Sequence, residues 1–186
     1  MFSPRVELAL RCCAEAHAGQ LRKGPSGGPY ALHPIHIALM LARLGESDTV
    51  LVAALLHDVV EDCPGWDLAR VEQLFDAETA AIVGELTEEK QCSWRERKAL
   101  QVEQVAGLSQ AALRVKAADK LHNLHSLIID LEHYPAESVW PRFTGGREST
   151  LVMSRRLVEA LCSRLDGPLA AALRQSMLRL EQLSSP

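Results

Sequence analysis

The stretch VLVAALLHDVVED, Val50 to Asp62, decides the fold. Val50 to Leu56 carries only aliphatic side chains, and Val59–Val60 continue the run. With no polar face at helical spacing, such a helix belongs in the middle of a bundle, covered on every side. Four ionisable residues nevertheless close it: His57, Asp58, Glu61 and Asp62. Burying a bare charge is prohibitive, so these groups must be paired, protonated or bound to metal. On a continuous helix running to Pro64-Gly65, Glu61 lies one turn from both His57 and Asp58, and Asp62 one turn from Asp58. An imidazole and a carboxylate with two more carboxylates beyond them suit a divalent cation and an acid/base pair. The competing reading is a solvated helix end, and the wholly apolar run leading into His57 weighs against it.

The rest of the chain supports a helical reading. Its 186 residues suit one compact domain, residues 1–186, and Leu and Ala are abundant while aromatics are few. The predicted class is therefore all-α, a single helical bundle around the 50–62 helix. A formal charge of −4 gives no global signal for nucleic acid. The five cysteines are odd in number and lack metal-ligand spacing, which points to reduced thiols and the cytosol. The N-terminus has no signal-peptide core, and no apolar run approaches the roughly 20 residues that span a bilayer.

In chain order, Ser3-Pro4 starts a first helix. A loop rich in Gly and Pro follows, Gln20 to Tyr30, carrying the adjacent cations Arg22 and Lys23. Pro34 is expected to open the second helix with His33 at its N-cap, and Gly45 to close it; His36 is a lesser ligand candidate. Ser47-Asp48 starts the central helix. Short amphipathic helices are expected over Asp67–Phe75 and Glu78–Leu86. The charged stretch Thr87–Arg97 reads as an exposed connection into a helix from Lys98. Gln110 to Glu132 makes a long helix with an apolar stripe at Ala117, Leu121, Leu124, Ile128 and Leu131. Asp119, Asn123, Ser126 and Asp130 form the opposite row, which is either a solvated face or, at Asp119, turned toward the His57-Asp58 site. His133–Arg147 reads as a long loop, and two amphipathic helices, about 148–164 and 168–183, end the chain.

Five segments, RKGPSGGPYALHP, AALLHDVVED, LTEEK, ERKALQVEQ and VKAADKLHNL, stand in an order and spacing that resemble the HD superfamily of metal-dependent phosphohydrolases. The wording is most similar to the hydrolase domain of RelA/SpoT-type enzymes in their short, single-domain form, which remove the 3′-pyrophosphate of ppGpp. The resemblance implies one Mn²⁺ held by His33, His57, Asp58 and Asp119. It implies that Glu61 and Asp62 handle the hydrolytic water and proton transfer, and that Arg22, Lys23, Tyr30, Lys98, Lys116 and Asn123 lie near substrate. The likeness weakens after Glu132, where Thr150, Leu151 and Met153 stand in place of expected aromatics.

The leading expectation is a Mn²⁺-dependent (p)ppGpp 3′-pyrophosphohydrolase yielding GDP or GTP. The alternatives keep the site for another nucleotide, an adenosine alarmone or NADPH, or make the chain a silent nucleotide-binding module or a helical interaction protein. The expected partner is a small-molecule nucleotide, with no nucleic acid and no membrane; a homo-oligomer is left open.

Overall fold

A computed structural model describes residues 2–22, 24, 27–88 and 92–185. It is helical throughout: among the described residues the sole extended pairing is an isolated antiparallel bridge between Leu21 and Pro29. The chain divides into two compact units.

The first unit comprises residues 1–22, 28–87 and 108–118. It holds α1 (Pro4–Ala16), α2 (Leu32–Arg43), α3 (Asp48–Leu56), α4 (Val59–Asp62), α5 (Leu68–Leu74) and α6 (Ala77–Leu86). α1, α2 and α6 all pack on α3. Val52 to Leu56 are completely buried, as an apolar helix with no polar face demands. Most starts follow capping chemistry. Ser3, Ser47, Asp67 and Asp76 each accept a backbone N–H from the first turn beyond them. Each such cap contributes about 1 kcal/mol. At Asp76 the bond from the Thr79 N–H holds the carboxyl below its usual pKa.

Two expectations for this unit are corrected. The 50–62 stretch is not one helix: α3 ends at Leu56, and α4 restarts at Val59 after a turn at His57 and Asp58. The bond from Asp62 N–H to the Asp58 carbonyl keeps the α4 acids one turn from the dipeptide despite the break. His33 is not the N-cap of the second helix. α2 begins at Leu32, so His33 and Pro34 both lie inside its first turn, where the ring of proline withdraws no needed N–H. The left-handed Gly45 (φ 79°) follows the helix end as expected.

The second unit comprises residues 23–27, 88–107 and 119–186. It contains α7 (Trp94–Gln104), a 3₁₀ turn (Val105–Gly107), the later part of α8 (Gln110–His133), α9 (Ala136–Val139), a 3₁₀ turn (Trp140–Arg142), α10 (Gly146–Cys162) and α11 (Gly167–Leu183). α10 packs on α11 and α7. α7 starts at Trp94 rather than at Lys98, because Ser93 and Glu96 form a reciprocal capping box. The supposed loop 133–147 carries α9 and the 3₁₀ turn, with Val139 and Trp140 buried. Gly145 lies against the Trp94 indole, where a Cβ would overlap the ring. Asp130, expected on a solvated face, is buried and paired with Arg142 at 3.2 Å.

Among the described residues no helix is long and apolar enough to cross a membrane. The five cysteines form no disulfide.

Candidate active site

The turn between α3 and α4 sets the site. α3 delivers His57 and Asp58 from an aliphatic interior, and the backbone turns there instead of burying the pair deeper. His33, from the first turn of α2, meets them. Its Nε2 lies 3.8 Å from Asp58 Oδ2, and His57 Nε2 lies 3.2 Å from the same oxygen. The two imidazole rings are 5.4 Å apart. His57 Nδ1 is 2.8 Å from the carbonyl oxygen of Ala54. A carbonyl can only accept, so Nδ1 carries the hydrogen, and Nε2 is the ring atom that could ligate a cation.

Among the described residues these three form the one group of His, Cys, Asp or Glu able to share a cation, with ligand atoms all within 4.8 Å of one another. Ligands about 2.0–2.2 Å from a common ion stand up to roughly 4.4 Å apart across it, so slight closure suffices. Two imidazoles and a carboxylate suit a divalent transition ion, and the fixed tautomer of His57 is the form that ligates. The residues present fit a metal. His36 is exposed and outside this group.

Tyr30 completes the cluster. Its hydroxyl donates to Asp58 Oδ2 at 2.6 Å. Its ring packs on His17 at 4.8 Å and on His33 at 5.8 Å, and the Arg22 guanidinium lies 5.7 Å from its centroid. His17 is buried and bonded through Nδ1 to Gln20 Oε1 at 2.8 Å, while Gln20 Nε2 donates to the Asp62 carbonyl at 3.1 Å. Sequence reasoning missed the role of His17 and Gln20. Neither stands in a ligand pattern, and only the folded loop brings them beneath Tyr30. Glu61 and Asp62 are half-buried on α4, directly past the dipeptide. Lys116 is half-buried on α8. Lys23 lies outside the described residues.

In the second unit, Asp119 accepts a hydrogen bond from Asn123 Nδ2 at 2.6 Å, one helical turn on. Lys98 Nζ is 3.3 Å from Glu88 Oε1 and 3.1 Å from Gln101 Oε1, and Arg97 lies 3.7 Å from the other Glu88 oxygen. Glu88, inside the LTEEK segment, thus pairs with Arg97 and with Lys98, the cation that the resemblance sets near substrate. Gly24 sits where a Cβ would meet Arg142 Nη1 at 2.6 Å and Asp130 Oδ2 at 3.0 Å. The arginine tip could shift aside, but the φ of 137° favours glycine there.

Comparison with known proteins places this geometry in a family. The HD domain family matches residues 9–137. A human guanosine-3′,5′-bis(diphosphate) 3′-pyrophosphohydrolase, MESH1, is 47% identical over 116 residues, 61% of this chain and 64% of its own length. The matched part therefore spans less than two thirds of the human relative. The Drosophila melanogaster MESH1 is 40% identical over 130 residues, covering 69% of this chain and 72% of the relative. A solved structure described as a metazoan ortholog of SpoT that hydrolyses ppGpp superposes with a TM-score of 0.85 at 31% identity, covering 98% of each chain. The chain belongs to the HD domain family, and within it to the SpoT-like group that includes the MESH1 proteins.

Proposed function

We propose that the protein is a Mn²⁺-dependent 3′-pyrophosphohydrolase of ppGpp and pppGpp, working in the cytosol as one HD hydrolase domain over residues 1–186. The observation that carries this is the convergence of His33, His57 and Asp58 within 4.8 Å, next to the α4 acids, in a chain whose relatives bear that activity in their names. The family match runs through parts of both units, which supports treating them as one domain.

His33, His57, Asp58 and Asp119 would hold the ion. Imidazole in the ligand set favours Mn²⁺ over Mg²⁺, which keeps to oxygen ligands. The chemistry a bound ion supplies is charge neutralisation at the phosphoryl oxygens and a lowered pKa for water. Glu61 and Asp62 take a proton from the attacking water and return one to the ribose 3′ oxygen as its bond to phosphorus breaks. Water and ppGpp thereby give GDP and pyrophosphate. Arg22 and Lys23 hold phosphates, Arg as a fork and Lys as a point charge. Lys98 and Lys116 add positive charge, and Asn123 contacts ribose or base.

One observation supports a different nucleotide on the same site. Thr150 is buried and Leu151 and Met153 are half-buried in α10, where the resemblance leads one to expect aromatic rings. Initial rates with ppGpp, ppApp and NADPH, measured side by side with Mn²⁺ and with chelator, decide the matter. The expected result is Mn²⁺-dependent pyrophosphate release, with ppGpp showing the highest kcat/KM. Preference for ppApp or NADPH would overturn the guanosine assignment alone. No turnover of any of the three would overturn the enzyme reading.

A further inference from the structure

The 2.6 Å contact between Tyr30 and Asp58 carries an inference that rests on the metal-site reading above. At that length, within the range of about 2.5–2.7 Å for a hydroxyl on a carboxylate, the bond is charge-assisted. A phenol has one hydrogen to donate, and here it goes to Asp58. A phosphate would need that same hydrogen, because a phosphate oxygen is an acceptor. The resemblance groups Tyr30 with substrate, whereas its hydrogen bond faces the metal ligands.

Everything around Tyr30 fixes it independently of a nucleotide. Its N–H donates to the Gln20 carbonyl at 2.9 Å, and its own carbonyl accepts from the His33 N–H at 2.9 Å. The ring is packed between His17 and His33. Gln20 ties His17 to the Asp62 carbonyl, so the ring under Tyr30 is anchored to the end of α4. The oxygen that Tyr30 holds is the one facing both imidazole Nε2 atoms.

We infer that Tyr30 is a positioning residue of the metal site: its hydroxyl fixes the rotamer of Asp58 so that Oδ2 faces His33 and His57 before an ion arrives. Loss of a hydrogen-bond partner behind a metal ligand typically lowers metal affinity about 10–100-fold. Tyr30→Phe removes the hydroxyl and keeps the ring in its packing place.

The test is titration of metal-stripped protein with Mn²⁺, read by the electron paramagnetic resonance of the unbound ion. Tyr30→Phe should raise the Mn²⁺ Kd by about 10-fold or more, while its metal-stripped Tm stays with that of the unsubstituted chain. In an Asp58→Ala background the same change should add nothing further, because the partner is gone. With ppGpp, the lost rate should return as Mn²⁺ is raised. An unchanged Mn²⁺ Kd with a raised KM for ppGpp would make Tyr30 a substrate contact and overturn the inference. An equal loss in the Asp58→Ala background would overturn it as well, since the effect would then not pass through Asp58. If the unsubstituted chain binds Mn²⁺ but hydrolyses none of the nucleotides, the functional proposal fails while the Tyr30 effect on Kd still stands. If it binds no Mn²⁺, both fail.

Discussion

Asp58 and Asp119 are two carboxylates steadied in the same way by opposite routes. Asp58 sits at a break between two helices and accepts its bond from Tyr30, 28 residues earlier in the chain. Asp119 sits inside the continuous α8 and accepts its bond from Asn123, four residues on. The helix itself supplies the second pairing, since residues at i and i+4 share a face. The first requires the Gln20–Tyr30 loop to close, His17 to be buried and α4 to end where Gln20 can reach it. Support for Asp58 is therefore a property of a tertiary structure, and support for Asp119 a property of one turn of helix.

The largest effect should come from the carboxylates themselves. Asp58→Ala and Asp119→Ala should each lower kcat/KM for ppGpp by at least about a thousandfold, on the order of 4 kcal/mol of transition-state stabilisation. Both should weaken Mn²⁺ binding. An Asp119→Ala protein with intact Mn²⁺ affinity and rate would break the comparison and remove Asp119 from the ligand set. Glu61→Gln separates the acids of α4 from the ligands. Turnover should fall about 10²–10⁴-fold, the range for a lost general acid or base, with Mn²⁺ affinity retained. A rate within threefold of the unsubstituted protein would end the acid/base assignment.

The supports should differ in stability. His17→Ala deletes a buried ring beneath Tyr30 and should cost about 2–3 kcal/mol by the cavity it leaves, measured by urea unfolding. Asn123→Ala removes one half-buried hydrogen bond and should cost about 1 kcal/mol. Equal losses would mean that the tertiary route to Asp58 is no more demanding than the helical one.

The same contrast separates what could be read in the sequence from what could not. The caps at Ser3, Ser47, Asp67 and Asp76 and the apolar run of α3 are local signals, and the structure follows them. Of the group His33, His57 and Asp58, the last two were visible because they are adjacent and follow a run with no polar face, whereas His33 joined them only through the family resemblance. The break at His57-Asp58 was hidden because propensity sees only aliphatics on both sides, and none of them marks a turn. The roles of His17, Gln20 and Glu88 were hidden for another reason: each acts on a residue brought near by tertiary packing. Asp130 showed the converse error, since its place on a polar row says nothing of Arg142 arriving to pair with it. The resemblance sets Tyr30 and Asn123 near substrate, while the direction of their hydrogen bonds was beyond any spacing argument.

A pH dependence tests how tightly the Asp58 half is closed. Cys13 is completely buried on α1, and its thiol is pushed up from about 9 to about 12. Burial is the main cause, followed by the unfavourable charge it would meet at Cys63 and Asp58. Cys162 in the second unit is also raised by burial, but Arg174 works against the shift. A thiol whose folded pKa lies above its unfolded value stabilises the fold fully below the unfolded pKa and loses that contribution as pH rises through the folded one. Stability of the unsubstituted chain should therefore begin to fall near pH 9 and keep falling toward pH 12, at about 1.4 kcal/mol per pH unit from this group. Cys13→Ala should be slightly less stable at pH 7, by about 1 kcal/mol for the small void. Its alkaline limb should be shallower, so that the two unfolding curves converge and cross between pH 9 and the folded pKa. A limb of unchanged slope in Cys13→Ala would show that solvent reaches this thiol and that the packing under Asp58 is looser than its burial implies.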